Sequence, residues 1–148
     1  MPKPDPALLD PARYPFSSRI EPRFGDLDVN LHINNVAMAG FLEDGRVRFH
    51  RESGYRDGLA GSDGEKLSSM IVSVGIEYLG EAHYPDPVTI HCAVEDTGRT
   101  SHRLIQLVMQ DERVVGFCRS TMVTVGKDGP APLPASFTEQ TERWRLRA

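Results

Sequence analysis

The sequence predicts an α+β protein in which one antiparallel sheet curls around one long helix. Three observations carry this. One stretch, Val36 to about Gly54, repeats its apolar residues at spacings of three and four, the period of a helix with one buried face. Four later runs alternate apolar and polar residues, the period of a strand. The connections between those runs are too short for crossovers, so successive strands pair antiparallel. A sheet wrapped on a helix buries both apolar faces in a single core.

Residues 1–14, rich in proline and polar groups, are expected to be a loose lead-in. Residues 16–24 alternate, with Phe16, Ser18, Ile20, Pro22 and Phe24 on one face. Pro22 donates no ladder hydrogen bond, which places this strand at a sheet edge or gives it a bulge. The Asp- and Asn-rich segment that follows is a loop ending on a helix cap at Asn34 or Asn35. In the helix, Met38, Phe41, Leu42, Gly45 and Phe49 form the apolar face. Gly40 and Gly45 cost helix propensity and point to close approach of another backbone. Gly54 is the expected stop. After a polar loop over 55–68, strands are expected from Met70 to Tyr78, Val88 to Glu95, Ser101 to Gln110 and Arg113 to Val125, with a tight turn at Asp111-Glu112. Residues 127–148 form a tail. Ser136 and Glu139 have capping-box spacing, so a short helix is expected over 137–147. No repeat is present, and residues 1–148 read as one domain.

Hydrophobic content of 39% and charged content of 26% are those of an ordinary globular protein. The net charge of −4 argues against nucleic acid or an anionic membrane as partner. No apolar run approaches the roughly 20 residues that span a bilayer. The first fifteen residues lack the apolar core of a signal peptide, so the expected location is the cytoplasm. Cys92 and Cys118 lie in strand-like runs and read as small buried hydrophobes.

The chemistry concentrates between Arg23 and Arg46. Asp28 stands a few residues before a helix. A helix N-terminus presents unpaired N–H groups and a partial positive charge, which can polarise a carbonyl and hold the oxyanion formed on attack. A nearby carboxylate can act as nucleophile or as general base on water. A thiol of pKa about 8.5 leaves with little help from an acid. One carboxylate and one helix end therefore suit a thioester better than an amide.

Phe24, Asp26, Asp28, His32, Asn34 and Asn35, followed by Glu43 and Arg46, resemble the signature of the hotdog-fold acyl-CoA thioesterases of the 4-hydroxybenzoyl-CoA thioesterase type. That signature runs F-x-D-x-D-x-x-G-H-x-N-N and then E-x-x-R. Ile76-Glu77-Tyr78-Leu79, Tyr84-Pro85-Asp86 and Gly98-Arg99-Thr100-Ser101 continue the likeness, which covers roughly residues 16–126. The resemblance implies a hotdog fold and hydrolysis of an acyl-CoA or acyl-carrier-protein thioester without a cofactor. It implies Asp28 as the catalytic carboxylate, a backbone oxyanion donor at Asn35 or Val36, and a homodimer or homotetramer. Two positions depart from the pattern. Leu31 replaces the glycine before His32, so a glycine-only backbone is not expected there. Met38 replaces a tyrosine common in the helix.

Each residue also has a plainer role. Asp26 is expected to make a structural loop hydrogen bond. His32 would tune the carboxylate or line the site. Asn34 and Asn35 serve as caps, a role compatible with an oxyanion site at the same helix end. Glu43 and Arg46, three apart, suit an ion pair. Arg99, on a turn, is a candidate contact for the phosphates of CoA. His50 and Arg51 would complement the helix dipole. No histidine cluster has metal-ligand spacing. Two rivals remain: a non-catalytic acyl-binding hotdog protein, and a hotdog enoyl-CoA hydratase or dehydratase, whose Asp-to-His spacing this loop does not reproduce.

Overall fold

The long helix forms where its spacing placed it. In a computed structural model that describes residues 3–60 and 66–148, α1 runs Asn35–Glu52. Asn34 caps it, its side-chain oxygen accepting from the Ala37 N–H at 2.7 Å. Met38, Phe41, Leu42, Gly45 and Phe49 are all buried. Ser53 ends the helix and Gly54 follows in the left-handed region, at φ 81°.

The strands are β1 (Phe16–Ile20), β2 (Ser68–Tyr78), β3 (Val88–Thr97), β4 (Ser101–Gln110), β5 (Arg113–Gly126) and a two-residue β6 (Gly129–Pro130). They form one antiparallel sheet in the order β1-β3-β4-β5-β2, with β6 folded back on β5. β1 stops before Pro22 and is an edge strand, as a proline without an N–H requires. Asp111 and Glu112 both take positive φ, the conformation of a two-residue hairpin turn whose twist matches its strands.

α1 does not sit centrally on the concave face. It packs on β3 and β1, where Val88, Ile90, Cys92 and Val94 meet its apolar face. A Cβ on Gly45 would lie 2.6 Å from Ile90 Cγ2, so this glycine sets the approach of helix to sheet. Gly40 meets nothing within 4 Å, and the close packing expected of both glycines belongs to Gly45 alone. Cys118, Ser120 and Met122 of β5 are buried in the core with the helix, so β2 alone is left uncovered. β2 is the second edge, and all eleven of its residues are exposed or half-buried.

The chain's ends differ from expectation. Residues 3–14, expected to be loose, form two 3-10 turns, Pro6–Leu9 and Pro11–Arg13, that cover the convex face. Tyr14 is buried there with Ala93, Ile105, Leu107 and Phe117, and Leu8, Leu9 and Leu146 pack against them. Arg13 and Arg147 join the two ends: the Arg147 N–H donates to the Arg13 carbonyl, and Arg13 Nε donates to the Arg147 carbonyl. At the C-terminus the helix over 137–147 is reduced to α3 (Ala135–Thr138) and a 3-10 turn, Thr141–Trp144. No capping box forms, because the Ser136 hydroxyl donates to the Gly54 carbonyl instead. Between these lies a short α2, Tyr55–Gly58. Both cysteines are free and buried, and burial pushes their thiols up, Cys92 to about 12 and Cys118 to about 11. Among the described residues no helix is long and apolar enough to cross a membrane.

Candidate active site at the start of the long helix

A 3-10 turn, Phe24–Asp26, leads into the loop. The buried Asp26 carboxylate accepts from the Arg23 N–H at 2.7 Å, and its backbone carbonyl accepts from the Asn34 N–H at 2.8 Å. Asp26 therefore ties the loop's entrance to its exit. Leu27 and Ile33 pair as an isolated antiparallel bridge, which pinches residues 28–32 into a small closed loop.

Asp28 organises that loop. Its N–H donates to the His32 carbonyl at 2.8 Å, and its own carbonyl accepts from Leu31. Its Oδ1 accepts the N–H groups of Asn30 and His32, at 2.8 and 3.1 Å. Among the described residues Oδ2 has no partner, so one oxygen is anchored and the other is open for chemistry. Leu31 takes φ 63°, the left-handed conformation that favours glycine. The loop therefore does adopt the glycine-favoured backbone, contrary to expectation, with a leucine bearing the strain.

The helix starts beside this loop. Asn34 satisfies the N–H of Ala37 by its side chain and that of Met38 by its carbonyl. The N–H groups of Asn35 and Val36 take no acceptor among the described residues, and both residues are exposed. They are two of the orphan donors that every helix start presents, available to an incoming oxygen. A cleft of about 530 Å³ opens on the β1 side of this point, with Arg23, Asn34, Val36, Gly40 and Asp44 among its lining residues.

A second segment backs the loop. The Ile33 N–H donates to the Ala82 carbonyl at 2.8 Å, and the half-buried His32 ring places Nε2 3.2 Å from the Glu81 carboxylate. His83 meets His32 edge-on, with ring centroids 5.4 Å apart. Buried Gln110, the last residue of β4, grips this segment by three bonds of 2.8–2.9 Å to His83 N–H, His83 carbonyl and Asp86 carbonyl. From β2, the Tyr78 hydroxyl reaches the Asn35 carbonyl at 3.4 Å. Sequence reasoning overlooked Tyr78, Glu81, His83 and Gln110 as site residues. Two histidines and a glutamate flanking the loop after a strand were a signal, but their meeting with His32 depends on the Ile33–Ala82 pairing.

Arg99 stands apart from the loop, and the roles expected of Glu43, Arg46 and His50 are not met. Arg99 lies exposed on the turn between β3 and β4. β3 begins opposite Ile20, next to the loop, and runs away from it, so Arg99 stands about 30 Å along the strand from the site. Glu43 and Arg46 form no ion pair; Glu43 is exposed, while Arg46 is buried and donates to Gln106 Oε1 at 3.2 Å. His50 does not support the helix dipole as a cation. Its Nε2 lies 2.9 Å from that of His102, and burial, with His102 and Arg46 nearby, pushes it down to about 3. Among the described residues no group of three or more His, Cys, Asp or Glu is placed to hold a metal.

The family model described as the thioesterase-like superfamily matches residues 22–141, a span that holds the whole loop, α1 and the sheet from β2 to β6. The chain belongs to this superfamily. Solved structures share the superfamily fold. A predicted thioesterase from Bacillus stearothermophilus is 24% identical, with a TM-score of 0.76 over 90% of this chain and 98% of its own. A thioesterase from Thermus thermophilus, complexed with coenzyme A and Zn, is 25% identical, with a TM-score of 0.73 over 88% and 94%. A hypothetical protein from Staphylococcus aureus in complex with CoA is 16% identical, with a TM-score of 0.77 over 90% and 85%. No curated protein matches the sequence. For a thioesterase-superfamily member, the curled antiparallel sheet around one main helix is the hotdog architecture that the loop's signature implied.

Proposed function

We propose that this superfamily member hydrolyses an acyl-CoA or acyl-carrier-protein thioester, in the manner of the 4-hydroxybenzoyl-CoA thioesterase type. One observation carries the reading: Asp28, with one oxygen anchored and the other open among the described residues, precedes two N–H groups at the start of α1 that no described residue pairs. The thioester carbonyl oxygen accepts from Asn35 and Val36. Asp28 takes a proton from a water, whose oxygen adds to the carbonyl carbon. The negative charge forms over the helix end, where fixed donors stabilise it most. Collapse expels the thiolate, which recovers the proton from Asp28 directly or through water. Asn34 holds the helix end, and His32 holds the loop through its backbone N–H.

The pantetheine arm suits the cleft on the β1 side of the helix, with exposed Arg23 near its mouth. Arg99 enters this picture only as a contribution from a second copy of the chain. The coenzyme A held by the similar proteins from Thermus thermophilus and Staphylococcus aureus supports CoA as the thiol carrier.

The experiment is thiol release from a panel of acyl-CoA and acyl-carrier-protein thioesters. Asp28→Asn is expected to lower kcat by at least about 100-fold with the fold intact, the scale of a lost acid–base group. Near-normal turnover in Asp28→Asn with loss in Asp26→Asn or Glu43→Gln would overturn the assignment. Saturable acyl binding without thiol release would make the protein a binder. Loss of enoyl absorbance without thiol release would make it a hydratase.

A further inference from the structure

The register of β2 on β5 defines a groove alongside α1. Cys118, Ser120 and Met122 face the helix, and their partners Ile76, Val74 and Ile71 share that face. Tyr78, two residues beyond Ile76, lies at the same side and touches Asn35. On the helix, Asn35, Ala39, Glu43, Arg46 and His50 recur at spacings of three and four and so lie on one face. The groove therefore begins at the site, between Tyr78 and Asn35, and runs down the helix over an apolar strip. Val74 is 45% and Ile71 47% exposed, so no described residue covers the β2 side of the strip, while Cys118, Ser120 and Met122 on β5 are buried beside it.

Arg46 stands along this groove, eleven residues or about 16 Å from Asn35. Its residue is only 9% exposed. Among the described residues no carboxylate pairs with it, and its hydrogen bond is the one to Gln106. Gln106 is itself saturated, donating to the Leu42 carbonyl and to Cys92 Sγ. The bond to Gln106, whose amide also touches Cys92, places the guanidinium over the centre of the sheet rather than in solvent. A buried charge without a counter-ion is costly. Close by on the same strand as Cys118, the hydroxyl of Ser120 is fully buried and has no hydrogen-bond partner. A donor-rich cation and an unsatisfied hydroxyl at the end of an apolar groove are the complement of an anionic acceptor on an aliphatic chain.

We propose that Arg46, with Ser120, forms a subsite for a carboxylate at the far end of the acyl group, so that the preferred substrate is an ω-carboxyacyl thioester. The proposal rests on the thioesterase reading for the placement of the carbonyl at Asn35. The chain carbons lie on Tyr78, Ile76 and Val74, and the terminal carboxylate receives the guanidinium. The length selected is the one that spans about 16 Å from the helix start to Arg46.

The test compares acyl-CoA esters of matched length, with a methyl or a carboxylate at the far end, on the wild type, Arg46→Met and Ser120→Ala. A hydrogen bond to a charged group corresponds to about 10- to 100-fold. The wild type should therefore favour the ω-carboxylate by about tenfold or more in kcat/KM, and Arg46→Met should erase that preference. Ser120→Ala should reduce it in part. Free dicarboxylates should compete more strongly than monocarboxylates of equal length. Thermal unfolding gives a readout apart from activity: removing a buried charge that no described carboxylate offsets should leave Tm unchanged or higher. The proposal is overturned if the wild type prefers the methyl-ended series, or if monocarboxylates compete equally. It is overturned too if Arg46→Met unfolds the protein or converts an oligomer to monomer, because Arg46 would then pair with a partner's carboxylate. If no thiol is released from any ester, the thioesterase reading fails, and calorimetric binding of a free dicarboxylate to the wild type and Arg46→Met still decides the subsite.

Discussion

Leu31 bears a strain that glycine would not. Its φ of 63° costs an L-residue about 1 kcal/mol, and its side chain is 68% exposed, so no packing offsets that cost within the chain. Leu31→Gly removes the strain but loosens the unfolded chain. The expected net effect is a gain of about 0.5 kcal/mol, or about 1–2 °C in Tm by calorimetry. A lower Tm would mean that the leucine makes contacts in the assembled protein. The same residue shows where the sequence was opaque. Its place in the motif was readable, but a leucine does not announce a positive φ. Asp28 and Asn34 were legible because loop carboxylates and caps act over four residues. Arg46 was misread because a spacing of three from Glu43 allows an ion pair without deciding whether the arginine turns outward or inward.

Among the elements, β2 is the one that the chain leaves unfinished. It offers eleven residues of an edge that no described strand pairs, with one charged side chain, Glu77, and exposed Met70, Ile71, Val72 and Val74. A long apolar edge of this kind is a template for pairing, and a two-fold axis pairs it with itself. A homodimer joined along β2 is therefore expected. Light scattering should give about twice the 16.5 kDa chain mass at low micromolar concentration. Val74→Lys should shift that toward the monomer, since like charges would face one another near the axis. A wild type that stays monomeric with full activity contradicts this. The strands and α1 were legible from period alone, and so was the turn at Asp111-Glu112. The order of the strands was not, because β2 pairs with β5, and that pairing is set by tertiary packing. The ends were misjudged for a related reason. Proline-rich sequence near a terminus reads as loose, yet Leu8, Leu9 and Tyr14 find an apolar convex face to cover.

Over the whole molecule, acid stability is set in part by the pair at the far end of α1. His50 and His102 face each other with Tyr55 and Phe137 packed around them, Arg46 and Arg56 nearby, and no carboxylate among the described charges that act on them. Burial lowers them to about 3 and about 4, below the ordinary value of 6.5. The unfolded chain therefore binds more protons than the folded one as pH falls below about 6.5. Stability present above that pH is lost progressively toward pH 4, by at most about 1.4 kcal/mol per pH unit for each histidine. Urea unfolding from pH 7.5 to 5 should show this slope, and His102→Phe should flatten it. An unchanged slope in the variant would assign acid sensitivity to carboxylates elsewhere.

The off-centre seat of α1 divides the sheet into two territories with different freedom to vary. Beneath the helix, Gly45 on Ile90 and the residues around it hold the fold, and any change there is felt as lost stability. Beside the helix, positions 71, 74 and 76 line the groove while belonging only marginally to the core, so substitutions there cost little folding free energy. A lineage could thus drift through different acyl preferences while its scaffold stayed intact. Innovation in what is bound would not have to wait for compensating repairs in what holds the molecule together.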